Sequence, residues 1–167
     1  MTPDEIVTTL GLEPHPEGGW YRRTYRSTHV IEGAALPAAY DGTPRIQSSA
    51  IYYLVTVGAP SRLHRVRADE LFHHYAGDDC EQLQLVEGGP GALLRIGSDL
   101  MSGARPQVVV PAGAWQGLRV RDGGQYGWAL LGCTVSPGFE FDDFELGTRV
   151  ALMDQWPDWT ELIADLT

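Results

Sequence analysis

Short apolar or aromatic stretches, separated by glycine and proline, occupy most of the chain. Turn-forming segments such as Gly58-Ala59-Pro60 and Pro111-Ala112-Gly113 lie between these stretches. Many short strands bounded by such turns are typical of a β-sandwich or β-barrel. The stretches that best fit strands are Ile51–Val55, Leu83–Val86, Val108–Val110 and Tyr126–Leu131.

Helical patterns occur only at the two ends of the chain. Thr2-Pro3-Asp4-Glu5 has the form of a capping box with proline at the first helical position, which predicts a short helix through Leu10. Trp156-Pro157-Asp158 predicts the start of another helix, with a single apolar face. That face consists of Trp159, Leu162, Ile163 and Leu166. The sequence therefore predicts an all-β fold with short helices at both ends, and 167 residues suit a single domain spanning 1–167.

The amino-acid composition excludes several classes of binding partner. The chain has a net charge of −10, two cysteines and no lysine, so all twelve basic residues are arginines. Schiff-base chemistry is excluded without lysine, and such an acidic chain is expected to bind neither nucleic acid nor a membrane. No apolar run approaches the roughly 18 residues of a membrane span, and the N-terminus lacks a basic signal. We expect a soluble, cytoplasmic protein with reduced thiols whose partner is a small molecule.

The segment Ser61–Gly77 contains three of the five histidines. From Gly58, the spacing to His64, Val66, Glu70 and Gly77 resembles the first cupin motif, G-x5-H-x-H-x(3,4)-E-x6-G, with Val66 at the second histidine position. A later segment resembles the second motif, P-x-G-x-x-H, with glutamine at the histidine position. It runs from Pro111 to Gln116.

Further segments extend the resemblance over nearly the whole chain. They are Pro14–Ser27, Ser49–Leu54, Tyr75–Asp78 and Gly132–Phe139. On these motifs the sequence is identified as a member of the DUF985 family, also called Cupin_5. The resemblance implies a cupin double-stranded β-helix, that is, a jelly-roll barrel, which forms a homodimer. It leaves the activity open, although members are similar to metal-independent dTDP-sugar epimerases, which abstract a proton alpha to a ketone. The family usually has tryptophan and phenylalanine around the position of His73, where this chain has Phe72 and His74.

The donors expected at a cupin metal site are incomplete. Such a site normally offers three histidines and a glutamate. Valine cannot ligate a metal and a glutamine carbonyl is a weak donor, so we expect no metal and no other cofactor. If a metal is bound, the predicted ligands are His64, Glu70 and Gln116, with His73 or His74 as a possible fourth.

The same residues favour acid–base chemistry. His64 is the predicted general base with Glu70 orienting it, and His73 is the second choice. Strand alternation places Arg62 on the same face as His64, where it could bind an anionic group. The same alternation separates Glu70 from His73, and only a β-bulge would bring both inside the barrel. The other predicted substrate-binding residues are Tyr53, Tyr75 and Gln116.

Three functions remain open at this point. The favoured one is a metal-independent isomerase or epimerase that acts by proton transfer on a small keto-sugar or related carbonyl metabolite. The alternatives are a non-catalytic small-molecule binding protein and a metal-dependent cupin oxygenase or isomerase. Each histidine also has a plainer interpretation as a structural or surface residue, and aromatic residues on strands usually pack in a core.

Overall fold

The computed structural model describes all residues 1–167 and is built mainly of strands. The helices are α1 (Pro3–Leu10), α2 (Arg149–Gln155) and α3 (Thr160–Asp165). The strands are β1 (Glu13–Pro14), β2 (Trp20–Arg26), β3 (Val30–Ile31), β4 (Arg45–Ile46), β5 (Ser49–Thr56), β6 (Ser61–Val66), β7 (Asp69–Gly77), β8 (Cys80–Leu85), β9 (Ala92–Ile96), β10 (Gln107–Val110), β11 (Trp115–Val120), β12 (Trp128–Ser136) and β13 (Phe144–Leu146).

Two antiparallel sheets face each other and form the jelly-roll barrel that the motifs predicted. One sheet has the strand order β1-β2-β5-β12-β7-β10, and the other has the order β13-β6-β11-β8-β9. A small third sheet pairs β3 with β4. The inward-facing side chains of the two large sheets form the main core, which includes Tyr53, Phe72, Leu118, Leu131 and Cys133. Both cysteines are buried and free.

Helix α1 covers the outer face of the six-stranded sheet. The predicted capping box is present, because the Thr2 side chain accepts from the Glu5 backbone and the Glu5 side chain accepts from the Thr2 backbone. The helix ends at Gly11, whose left-handed φ of 61° glycine adopts without steric cost. Ile6 is the buried residue of the helix and packs against Leu54 and Trp128, which point outward from the sheet.

The C-terminal helices cover the outer face of the five-stranded sheet. The helix predicted from Trp156 begins as a 3₁₀ turn, Pro157–Trp159, and continues as α3. Helix α2 was not predicted, because Leu152 is its one buried residue and its sequence has no continuous apolar face. Leu152, Trp156, Ile163 and Leu166 form a second core with Leu63, Leu83 and Leu85 of the sheet. None of the helices has the length and apolar character that crossing a membrane requires.

Candidate functional site

A small cavity between the two sheets collects the buried side chains of Glu17, His64 and Glu70. Its volume is about 40 Å³, which is room for about three water molecules. It is lined by His15, Glu17, Tyr21, Arg23, Ser49, Ile51, His64, Val66, Glu70, Cys133, Val135 and Phe139.

A β-bulge in β6 positions His64 in this cavity. His64 pairs with Gln116 and Ser61 pairs with Leu118, so β6 has one more residue than β11 between these two pairs. Gly117 lies opposite the extra residue, where a Cβ would come within 3.1 Å of the backbone nitrogen of Leu63. The bulge therefore turns Ser61 and His64 to the same inner face of the barrel, where both are buried.

The contacts of His64 orient its ring in the cavity. Its Nδ1 lies 2.8 Å from the carbonyl oxygen of Arg62, and its Nε2 lies 3.2 Å from Oε2 of Glu17. A carbonyl oxygen only accepts, so Nδ1 carries a proton. Nε2 therefore faces the Glu17 carboxylate, which attracts the ring whenever the ring is protonated.

Glu17 lies in the turn between β1 and β2 and is buried although it is charged. Its Oε1 accepts a 3.0 Å hydrogen bond from the Ser61 hydroxyl, and its Oε2 lies 3.3 Å from Nδ1 of His15. Burial acts to raise the pKa of Glu17, but the attraction of His64 and the contact with His15 outweigh it and lower the pKa to about 2. We call Glu17, Ser61, His64 and His15 the Glu17 cluster.

Glu70 lines the same cavity from β7, and its pKa moves in the opposite direction. Burial and the nearby charge of Glu17 raise the pKa of Glu70, while His64 and a hydrogen bond from Gln116 lower it less. Burial and the neighbouring Glu70 also raise the pKa of the Cys133 thiol, which makes that thiol a poor nucleophile.

Three buried glutamines hold the Glu70 carboxyl in place. The Gln84 amide donates to Oε1 of Gln82 at 2.9 Å and to the carbonyl oxygen of Val109 at 3.0 Å. The Gln82 amide donates to Oε1 of Gln116 at 3.1 Å, and the Gln116 amide donates to Oε2 of Glu70. Both ends of the Gln116 side chain are therefore already in use. We call Gln84, Gln82 and Gln116 the glutamine relay.

The structure brings four of the predicted site residues together. His64, Glu70 and Gln116 are all buried on the inner faces of the sheets. Tyr53 is also buried, and its hydroxyl donates to the carbonyl oxygen of Gly18 at 2.8 Å. Burial and the charge of Glu17 raise the pKa of Tyr53, which keeps this hydroxyl a hydrogen-bond donor.

The expected placement of Arg62 beside His64 is not found. Its side chain is exposed, and its guanidinium donates to the carbonyl oxygens of Pro16 and Glu17. The reason is the bulge in β6, which interrupts the alternation of side chains between Arg62 and His64. Arg62 thus supports the turn that carries Glu17 instead of lining the cavity.

His73 and Tyr75 also lie away from the cavity. Strand β7 keeps its regular alternation from Glu70 to His74, so no bulge brings His73 to the inner face. The His73 ring stacks on Tyr75 with centroids 6.4 Å apart, and its Nε2 lies 3.2 Å from the Thr134 hydroxyl. The bulge in β7 comes later, between His74 and Ala76. The half-buried His74 has its Nε2 3.2 Å from the carbonyl oxygen of Asp78.

Sequence reasoning missed several residues at the cavity. Glu17, His15 and Arg23 belong to the segment Pro14–Ser27, where the sequence favours a structural or surface role for His15 and pairing with carboxylates for Arg23. The available signal was the presence of a histidine and a glutamate in a turn rich in proline and glycine. Glu17 and Ser61 of β6 are hydrogen-bonded to each other but lie 44 residues apart in the sequence, so no local pattern could have indicated this contact.

Comparison with known proteins agrees with this architecture. The family model described as "Cupin superfamily (DUF985)" matches residues 4–147. The chain belongs to this cupin family. Among solved structures, a hypothetical protein from Leishmania major is 31% identical with a TM-score of 0.89, over 100% of this chain and 99% of that one. Protein SO0799 from Shewanella oneidensis is 36% identical with a TM-score of 0.85, over 100% and 98%.

A more distant cupin enzyme has the same fold. Oxalate decarboxylase from Bacillus subtilis is 14% identical with a TM-score of 0.53, and the match covers 92% of this chain and 37% of that one. At this identity the likeness concerns the fold alone.

The donors in this cupin do not fit the metal that the superfamily implies. Val66 offers no donor atom, and the Gln116 carbonyl already accepts from Gln82. Both ring nitrogens of His64 contact oxygens within the chain, at Arg62 and Glu17. No group of three or more histidine, cysteine, aspartate or glutamate side chains has a geometry suited to a metal ion. We therefore derive no chemical step through a metal.

Proposed function

We propose that this cupin is a metal-independent isomerase or epimerase that moves a proton next to the carbonyl of a small keto-sugar or related metabolite. The observation that carries the proposal is the pair of buried carboxyl groups in one cavity, Glu17 and Glu70, whose pKa values move apart. Environments that separate the pKa values of neighbouring groups are typical of acid–base sites.

The hydrogen bonds assign a role to each group. Glu70 is the general base, because its raised pKa brings it closer to neutral pH and makes it the stronger base of the two carboxylates. Its Oε2 is held by Gln116, so Oε1 takes the proton. His64 is the acid: in its protonated form, Nε2 supplies the proton that a developing enolate oxygen in the cavity needs. Glu17 is a positioning residue that orients the His64 ring.

Deuterium exchange tests this assignment. Ketoses and keto acids are incubated with the protein in D₂O, and exchange at the carbon next to the carbonyl is followed by NMR. We expect Glu70→Gln and His64→Gln each to slow exchange by about a hundred- to ten-thousand-fold, as loss of a general acid or base does. Glu87→Gln and His29→Gln change exposed residues of the same types and should exchange at the wild-type rate. Folded Glu70→Gln that exchanges like wild type would show that Glu70 is not the base.

A non-catalytic binding function is the second candidate. One observation favours it: His64 and Gln116 already have partners for their polar atoms within the chain, which makes them less available for proton transfer to a ligand. The same experiment separates the two functions. A ligand that binds the wild-type protein without any exchange would support binding alone.

A further inference from the structure

Arg23 occupies an unusual position among the twelve arginines. Ten of them donate hydrogen bonds or form salt bridges within the chain. The two without such a partner are Arg23 and Arg121. Arg121 lies beside the turn after β11, whereas Arg23 lines the cavity of the Glu17 cluster.

The register of β2 explains how Arg23 reaches the cavity. Arg23 pairs with Ile51 of β5, and Ile51 lines the same cavity. Tyr21, two residues earlier, pairs with Tyr53, so Tyr21 and Arg23 share the inner face of the sheet. The neighbouring Arg22 points the other way and donates to the carbonyl oxygen of Leu10 at the end of α1. Arg23 is exposed, which places its charge at the entrance of the cavity.

The polar groups deep in the cavity already have partners within the chain. His64 faces the Glu17 carboxylate, and the Gln116 amide donates to the Glu70 carboxyl. The Arg23 guanidinium at the entrance has no such partner, so its donors are free for a ligand. An unpaired guanidinium binds phosphate and carboxylate groups through two parallel hydrogen bonds.

We propose that Arg23 selects an anionic ligand, namely a short carbonyl compound that ends in a phosphate or a carboxylate. The carbonyl end enters the cavity, and the anionic end stays at the entrance against Arg23. The cavity volume of about 40 Å³ favours a small carbonyl end. The inference rests on the proposed function for the reacting end of the ligand only, since anion binding at Arg23 does not require catalysis.

Matched pairs of probes test the charge preference by calorimetry. Dihydroxyacetone phosphate is compared with dihydroxyacetone, and pyruvate with pyruvamide, which distinguishes phosphate from carboxylate recognition. We expect at least one anionic probe to bind about tenfold or more tightly than its neutral partner, because hydrogen bonds between charged groups have that strength. Arg23→Gln should remove this preference and leave binding of the neutral probe unchanged.

Arg121→Gln is the control, because it removes the other arginine without a partner and lowers the net charge equally. It should bind each probe like the wild-type protein. The proposal is overturned if the neutral probes bind as tightly as the anionic ones, or if no probe binds at millimolar concentration. It is also overturned if folded Arg23→Gln still prefers the anionic probes, or if Arg121→Gln loses this preference to the same extent. A charge preference without deuterium exchange would reject the catalytic proposal alone. Exchange without a charge preference would reject the role of Arg23 alone.

Discussion

The protein contains two buried ion pairs that differ in whether the cationic side chain can release a proton. Arg45 and Asp143 form a pair with two hydrogen bonds, Nε to Oδ2 at 2.8 Å and Nη2 to Oδ1 at 2.7 Å. A guanidinium does not release its proton in proteins, so this pair serves the structure only. The pair of Glu17 and His64 is buried to a similar degree, but an imidazole, unlike a guanidinium, can gain and release a proton in proteins. At the scale of the residue, that difference separates a structural contact from a candidate site.

The lowered pKa of Glu17 predicts a stability that depends on pH. A carboxyl group whose pKa falls from 4.5 to about 2 on folding stabilises the folded state above pH 4.5, and this contribution disappears as the pH falls toward 2. Glu17→Gln should therefore lower the free energy of unfolding by about 3 kcal/mol at pH 7. The difference from wild type should shrink steadily between about pH 5 and pH 2, measured by urea denaturation.

Glu87→Gln is the control for this experiment. It replaces an exposed glutamate, so its unfolding free energy should follow that of the wild-type protein across the pH range. If the loss of stability in Glu17→Gln were the same at pH 3 and pH 7, ionisation of Glu17 would not be its cause.

At the scale of the element, the β-bulge in β6 decides which of its side chains reach the cavity. Regular alternation holds in β8, where Gln82 and Gln84 point inward and Leu83 and Leu85 point outward. It fails in β6, because the bulge arises from pairing with β11 and from the space that Gly117 leaves. A pattern within one strand contains no information about the register of its neighbour. The predicted position of Arg62 was wrong for this reason.

The glutamine relay predicts a specific loss of stability on Gln82→Leu. This change leaves Oε1 of Gln116 without its donor and removes one acceptor from the Gln84 amide. A buried polar group without a partner costs about 1–3 kcal/mol, so we expect the free energy of unfolding to fall by that amount. Gln107→Leu, at an exposed position of β10, is the control and should stay within about 0.5 kcal/mol of wild type.

A double-mutant cycle with Gln116→Leu sharpens this test. Because Gln82 and Gln116 are partners, the combined loss should be smaller than the sum of the two single losses. Strict additivity would mean that the two side chains do not depend on each other, contrary to the hydrogen bond between them.

At the scale of the whole molecule, the sequence predicted the barrel and three buried polar positions on its inner faces. The motif spacing indicated His64, Glu70 and Gln116, because each position lies on a strand whose register the fold determines. The Glu17 turn and Arg23 come from the start of the chain and meet β6 and β5 only after the sheets assemble. Such long-range contacts follow from the tertiary packing of the strands. The hydrophobic periodicity of a single segment cannot predict them.

The site is separated from the layer of helices by the five-stranded sheet, and this separation can be tested. Leu63 points outward from β6 into the helical core, while its neighbour His64 points inward. The Leu63 amide also donates to the carbonyl oxygen of Leu166 at 2.7 Å, so the C-terminus anchors the strand that carries His64. The outer core should therefore determine stability, while the inner face determines ligand binding.

Ile163→Ala is the variant that tests this division. Ile163 is fully buried in the outer core, and the cavity left by truncating it should lower the free energy of unfolding by about 2–5 kcal/mol, measured by urea denaturation. Val150→Ala, on the exposed side of α2, should have little effect. The folded fraction of Ile163→Ala should bind the anionic probe with wild-type affinity, because no residue of the Glu17 cluster touches the deleted atoms. A tenfold weaker affinity in that folded fraction would instead mean that the helical layer holds His64 in its binding position through β6.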